Sequence, residues 1–513
     1  MITSVRKKFV GRQEELERLE FEYRRPGGSL VTIYGRRRVG KTRLVRQFGQ
    51  GKPLVLYFQA QEVTLTQNLA ALLRSFNRLA SETNLKPYLT LSQSAFSEMD
   101  LLESFIRAAT ARARETGQKF VFILDEFPRL LKRTRLEEQK YPSFDSFIQR
   151  LWDEGLSESP VMFILLGSSV SMMQEAFSDA AAPLFGRRTA SLALRPLAMD
   201  YLAEYLDLDL RVKDHRWQTF YLYALLGGVP FNWEVLSAAL EFEEGDFSKA
   251  LMRIFTREPI LREEFDRVFR EEPLAGRILK AIVVALSRKP LREEALREAT
   301  GIPSLSPYLS LLQRLGVVEP DPEFSKRDLK KKKFFWRISD PFLCFLGRFG
   351  SELEESSWRE PEVVWQGIEK RLSDEHLGPL YEFLWRKALA AQAPPGMKVG
   401  QITVPSPSER KSYQVDVIGV IGEELIFLAE VKLKGWSRNY FETNVKKKLT
   451  LLEKIFKVSP HFKLLVISTE KDPESLKSFK QHGLDVLWLD YPYKEVLKKV
   501  RTFYAGFSPS TKA

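Results

Sequence analysis

Gly35-Arg36-Arg37-Arg38-Val39-Gly40-Lys41-Thr42 has the spacing G-x-x-x-x-G-K-T. A loop of that pattern wraps phosphate. Its glycines permit a tight turn and close approach, and successive backbone N–H groups point at phosphate oxygens. Lys41 brings a cation to the β- and γ-phosphates of a nucleotide, and Thr42 offers a hydroxyl to Mg²⁺. A second pair, Asp125-Glu126, closes the apolar run Phe120 to Leu124. Asp125 fits the carboxylate that holds Mg²⁺ through water, and Glu126 fits the base that orients an attacking water. A third set is Asp416 with Glu430-Val431-Lys432. Two carboxylates and a lysine on one face suit a bound Mg²⁺ and an activated water.

The flanking sequence must position these groups. Leu30 to Tyr34 reads as a strand before the loop, and Leu44, Val45 and Phe48 mark a helix after it. Pro53 to Gln59, Phe120 to Leu124 and Val161 to Leu166 read as further buried parallel strands. In open α/β sheets ligands bind at the carboxyl edge, where Asp125, Glu126 and Gly167-Ser168-Ser169 fall. Ser168 is then a candidate sensor of the γ-phosphate. Arg187 or Arg188 is a candidate arginine finger on a neighbouring subunit's nucleotide, which implies a homo-oligomer.

Near the C-terminus, Tyr413 to Val420 and Leu425 to Leu433 alternate as two strands around a turn at Ile421 to Glu424. A hairpin centred on Glu423 sets Asp416 opposite Glu430, with Cβ atoms about 5 Å apart. Strand period two puts Lys432 on the same face. Phe427, Ala429, Val431 and Leu433 then point into a core, and the Val431 carbonyl is a further candidate ligand. Strands Phe462 to Ser468 and Leu484 to Leu489 are expected to complete the sheet, and the run Lys446 to Lys448 to meet a phosphate backbone.

Between these regions, Leu274 to Leu286, Leu291 to Ala299 and a helix capped by Ser304 are followed by a basic hairpin with Lys330 to Lys333. Three short helices and a hairpin describe a winged helix-turn-helix whose basic wing can lie on DNA. Ser351 to Trp365, rich in Glu and Ser, reads as a linker.

The chain has 513 residues, 44% of them hydrophobic, enough for several packed domains. Its net charge of +12 favours polyanionic partners such as DNA. Cys344 is the only cysteine and there are four histidines, which excludes a disulfide framework and a Cys- or His-rich metal centre. No apolar run reaches the roughly 18 residues of a membrane span, and Met1 to Lys8 lacks a signal-peptide core. A cytoplasmic location is the expectation.

Gly11-Arg12-x-x-Glu15, the loop Ile33 to Thr42, Leu124-Asp125-Glu126-Phe127, Leu184-Phe185-Gly186-Arg187 and Gly227-Gly228-Val229-Pro230 resemble the archaeal ATPase family, within the STAND/AAA-like P-loop ATPases. The resemblance implies ATP and Mg²⁺ as cofactors. It implies nucleotide contacts from Gly11, Arg12, Gly35, Arg36, Arg37, Arg38, Val39, Gly40, Lys41, Thr42, Asp125, Ser168 and Arg187, with Phe9 to Arg12 against adenine. Arg337 to Phe342 resembles the junction to a C-terminal region known as DUF234. Asp416…Glu430-Val431-Lys432 resembles the D…E-x-K signature of PD-(D/E)xK nucleases, although Val415 stands where that signature has proline. The family's earlier acid would match Glu382, in the helix Leu377 to Leu389, as a further metal ligand.

The expected fold is a multidomain α/β chain. Residues 1–200 form a P-loop ATPase core, 201–265 a helical lid, 266–345 the winged helix-turn-helix and 346–370 a linker. Residues 371–503 form a restriction-endonuclease-like α/β domain, and 504–513 a tail. The expected function is an ATP-regulated metal-dependent nuclease acting on DNA. The rival reading is a STAND-type switch whose nuclease-like domain only binds nucleic acid or protein. A winged-helix regulator of transcription is a third.

Overall fold

The computed structural model describes residues 8–83, 85, 97–270, 272, 276–324, 333–434, 436–470, 485–505 and 507. Its first sheet contains β1 (Ser29–Tyr34), β2 (Val55–Gln59), β3 (Phe120–Asp125), β4 (Val161–Gly167) and β5 (Ala190–Ala193). The order is β2-β3-β4-β1-β5, and every ladder is parallel. Helices cover both faces, which is why the central strands are nearly unbroken runs of Val, Ile, Leu and Phe. Leu30, Phe122 and Phe163 pack one way with Phe76 and Phe105. Val31, Ile33, Ile123 and Ile164 pack the other way against Leu44, Val45 and Phe48 of the helix Lys41–Gly49. With β4 between β1 and β3, the loop after β1, the acids ending β3 and Ser168 after β4 converge on one edge.

Helices Met199–Tyr205, Lys213–Leu226, Pro230–Phe242, Phe247–Met252 and Ile260–Arg270 form the next layer. Then come helices Gly276–Arg288, Glu293–Thr300 and Ser306–Arg314 and the antiparallel strands β6 (Val318–Phe324) and β7 (Lys333–Ile338). The three expected helices are present, with one correction at the third. Its N-cap position is the buried Leu305, with no side-chain cap, so Ser304 does not cap it. Lys330 to Lys332 and the side chain of Lys333 lie outside the described residues.

The stretch expected to be a linker is helical. Helices Pro341–Glu354 and Pro361–Leu372 bury Leu346, Phe349 and Leu353, then Val364, Trp365 and Ile368. Those residues recur every three or four positions, and the Glu and Ser residues between them are the wet face of an amphipathic helix. Composition hid the periodicity.

The second sheet adds β8 (Met397–Ser406), β9 (Lys411–Ile421), β10 (Glu424–Lys432), β11 (Lys457–Ser468) and β12 (Val486–Leu489), in the order β12-β11-β10-β9-β8-β6-β7. The β6–β7 hairpin is thus continuous with this sheet. It joins through Glu323 and Phe324, which pair in parallel with Gln401 and Ile402. Pro320 and Pro322 lie two apart, so their missing N–H donors fall on one edge of β6 and leave only its end to pair with β8. One apolar core runs without a break from Val10 through the middle helices to Tyr504.

Candidate functional site

The loop between β1 and the helix Lys41–Gly49 needs glycine at its first position. Gly35 has φ 148°, and a Cβ there would lie 2.3 Å from the Leu194 carbonyl oxygen. Lys41 Nζ donates to the Gly35 and Arg36 carbonyls at 2.7 and 3.1 Å, bridging the loop from inside. A cavity of about 450 Å³ opens over the loop. Arg37, Arg38, Val39, Gly40, Lys41 and Thr42 line it, with Phe9, Val10 and Arg12 from the N-terminal segment. Arg12 is held by the Val39 and Arg195 carbonyls. Gly11, at φ 66°, packs instead on Leu197 and Tyr201.

Asp125 sits beneath the loop and is 1% exposed. Its Oδ2 accepts from Thr42 Oγ1 at 2.6 Å and from Tyr57 Oη at 2.8 Å. Its Oδ1 accepts the Glu126 N–H at 2.9 Å. Hydroxyl and buried carboxylate therefore meet where a hard cation takes oxygen ligands, so the residues fit Mg²⁺. Glu126 has φ 54°, a left-handed conformation costing an ordinary residue about 1–3 kcal/mol. The turn is held by the next residue, whose Phe127 N–H donates to the Leu166 carbonyl at 2.8 Å. The turn aims the Glu126 carboxylate into the cavity, where Ser168 Oγ donates to it at 2.9 and 3.0 Å. This arrangement suits a triphosphate, a divalent ion and a positioned water.

Two further expected nucleotide contacts fall elsewhere. Arg36 turns away from the cavity and ion-pairs with Asp340 Oδ2 at 2.8 Å. Arg187 lies beside Thr189, which hydrogen-bonds to Leu30 at the start of β1, the edge opposite the loop. It ion-pairs with Asp153 through Nε and Nη2, both at 2.8 Å, so it reaches no nucleotide in its own chain. Sequence reasoning missed Tyr57, Arg129 and Phe231. Arg129 follows Glu126 by one helical turn, which was a usable signal. Phe231, stacked 3.6 Å under the Arg38 guanidinium, had only its place beside Pro230.

The second acidic group lies on β9 and β10. Past residue 426 the ladder pairs Phe427 with Gly419, Leu428 with Ile418 and Ala429 with Val417, the register of a hairpin centred on Glu423. The turn itself is centred between Gly422 and Glu423, and a bulge between Leu425 and Phe427 makes up the difference. Gly419 leaves room for the Phe427 ring, which a Cβ would meet at 2.0 Å. Asp416 Oδ2 accepts the Val431 N–H at 2.9 Å.

Glu430 is fully buried. Its Oε1 accepts from Tyr440 Oη and Lys448 Nζ, both at 2.5 Å, while Oε2 has no hydrogen-bond partner. Burial, then the charge of Asp416, pushes the Glu430 carboxyl above the usual carboxylate range. Glu382, on the helix Gly378–Gln392, is raised by the same two causes and lowered by Lys432. Two buried carboxyls raised by burial and by the charge of Asp416, one with an orphaned oxygen, fit a cation. However, among the described residues no group of three or more His, Cys, Asp or Glu side chains is placed to hold a metal ion. The expected ligand set of Glu382, Asp416 and Glu430 is thus not assembled.

Lys432 lies over the Tyr440 ring at 5.3 Å. The run Lys446 to Lys448 is not a free basic stripe. Lys446 pairs with Glu442, Lys447 with Glu409 and Lys448 with Glu430. Sequence reasoning also missed Arg386, one turn beyond Glu382. Its Nε donates to the Asp416 carbonyl at 3.1 Å, and its Nη1 pairs with Asp321 of β6.

Parallel sheet, strand order and phosphate loop together define a P-loop ATPase. Residues 9–232 match the family described as the ATPase domain predominantly from Archaea. An uncharacterized protein of Methanocaldococcus jannaschii, MJECL04, is 28% identical over 348 residues, which cover 66% of this chain and 68% of the relative. The uncharacterized ATP-binding protein MJ0423 of the same organism is 48% identical over 46 residues, 9% of this chain and 78% of the relative. The chain is also similar to the Walker-type ATPase PABY2304 of Pyrococcus abyssi, with 20% identity and a TM-score of 0.49 over 67% of this chain and 97% of that one. Among the described residues no helix is long and apolar enough to cross a membrane.

Proposed function

We propose that ATP binding and hydrolysis in this chain regulate a metal-dependent nuclease acting on DNA. In this reading residues 266–345 are a winged helix-turn-helix and the C-terminal sheet is a DUF234 unit of the PD-(D/E)xK kind. Lys41 binds the β- and γ-phosphates, and Thr42 and Asp125 hold Mg²⁺. Glu126 takes the proton of the attacking water, and Ser168 orients Glu126. Asp416 and Glu430 hold a second divalent ion, and Lys432 stabilises charge on the phosphate. When bound, the ions supply positive charge to phosphate oxygens at both sites. Arg188, exposed and without a hydrogen bond among the described residues, suits a finger on a neighbouring copy's nucleotide better than the ion-paired Arg187.

What carries the nuclease reading is the buried Glu430 beside Asp416, with an oxygen left unpartnered. The test is incubation of the purified chain with supercoiled and linear DNA in Mg²⁺ or Mn²⁺, with and without ATP. Asp416→Ala or Glu430→Ala should abolish cutting and spare ATP hydrolysis. DNA that is bound but never nicked in any of these conditions leaves the second reading, an ATPase switch with a silent C-terminal unit. That reading is favoured by Lys448, whose ammonium already neutralises Glu430.

A further inference from the structure

Lys448 is an unusual lysine. It is 7% exposed, its Nζ lies 2.5 Å from Glu430 Oε1, and Tyr440 Oη donates to the same oxygen. Both residues come from one segment, built of the helix Arg438–Tyr440, a π-turn at Phe441–Val445 and the helix Lys446–Glu453. Residues eight apart on a straight α-helix point about 80° away from each other. The π-turn takes up one extra residue and brings Tyr440 and Lys448 onto one face, over Glu430. Such turns are rare and concentrate at functional positions. The hydrophobic side of the segment is anchored by Phe441, Val445 and Leu452, so its polar side is aimed by packing rather than by chance.

A lysine at this position has a cost. Its charge must be desolvated, and it meets only one oxygen of the carboxylate while Oε2 goes unpaired. A methionine of similar length would fill the same space if packing were the only need. We propose that Lys448 is a built-in competitor for the divalent ion. Its ammonium holds Glu430 until the ion binds, and it must then withdraw. This rests on the metal-dependent reading of the C-terminal site and adds its regulation. A relaxation of the π-turn to α-helix rotates Lys448 by about 100°, enough to free the carboxylate while Asp416 stays in place.

The experiment uses the full chain without nucleotide and follows Mn²⁺ binding by electron paramagnetic resonance. Wild type is compared with Lys448→Gln and Asp416→Asn. Lys448→Gln should bind Mn²⁺ about tenfold tighter, since a charge-assisted contact no longer competes. Asp416→Asn should lose that ion. In wild type, acylation of Lys448 read by mass spectrometry should speed up several-fold when Mn²⁺ is added, and this measurement decides alone if Lys448→Gln does not fold. An Asp416-dependent ion that binds Lys448→Gln no tighter, or leaves Lys448 acylation unchanged, would make the pair merely structural and overturn the proposal. Absence of any Asp416-dependent Mn²⁺ overturns the metal reading itself, and the competitor with it.

Discussion

Arg36 of the phosphate loop and Asp340, which begins the helix Pro341–Glu354, form an ion pair at 2.8 Å with both side chains buried. Asp340 Oδ1 also accepts the Leu343 N–H at 3.0 Å and so caps that helix. Two residues on, Arg38 pairs with Glu264 of the helix Ile260–Arg270 at 2.7 Å. The loop that would close on a nucleotide is thus tied directly to the middle helices and the chain entering the C-terminal sheet.

Removing one charge of a buried pair strands the other. Asp340→Asn keeps a cap for Leu343 but leaves Arg36 without its counter-charge. It should destabilise the chain by about 3 kcal/mol, read as a lowered Tm. Arg36→Met with Asp340→Asn should recover much of that loss. A single variant as stable as wild type would deny the pair any energetic role.

Lys41→Ala should weaken ATP binding, because it removes the cation beside the phosphates and unpins the loop from its Gly35 and Arg36 carbonyls. Glu126→Gln should retain ATP and lose about 10²-fold or more in kcat, the usual contribution of a positioned base. Equal turnover by Glu126→Gln and wild type would remove Glu126 from that role.

Tyr57 shares Asp125 Oδ2 with Thr42 and lies under the Arg46 guanidinium. It is expected to act as a positioning residue. Tyr57→Phe removes only the hydroxyl, so Tm should change little and ATP binding in the presence of a chelator should hold. The Mg²⁺ concentration giving half-maximal ATPase activity should rise several-fold. An unchanged Mg²⁺ requirement would refute the assignment.

His376 is buried, and its Nε2 donates to the Ala224 carbonyl at 2.7 Å. Burial pushes its pKa down to about 4, helped by Arg348 and opposed by that hydrogen bond. The unfolded chain therefore takes up this proton at higher pH than the folded one. The resulting stability is present above about pH 6.5 and is lost as pH falls toward 4, about 3 kcal/mol when complete. His376→Gln should flatten the stability profile across that window, as followed by thermal melts at stepped pH.

The phosphate loop, the paired acids ending β3 and the D…E-x-K strand pair were legible from residue order alone. Their chemistry depends on short spacings, and strand and helix periods fix which side chains share a face. The register at Asp416 was reachable for the same reason, although a bulge the alternation does not announce supplied it. The two helices between 341 and 372 were also written in the periodicity, under a composition that suggested a linker. What only the tertiary structure decided is who meets whom over long separations. Arg36 faces Asp340, Tyr57 reaches Asp125, Lys448 meets one oxygen of the Glu430 carboxylate, and the β6–β7 hairpin extends the C-terminal sheet. Each joins residues on different elements whose approach is set by packing of a shared core. Buried charges must find partners wherever that packing puts them, and nothing in the local sequence names the partner.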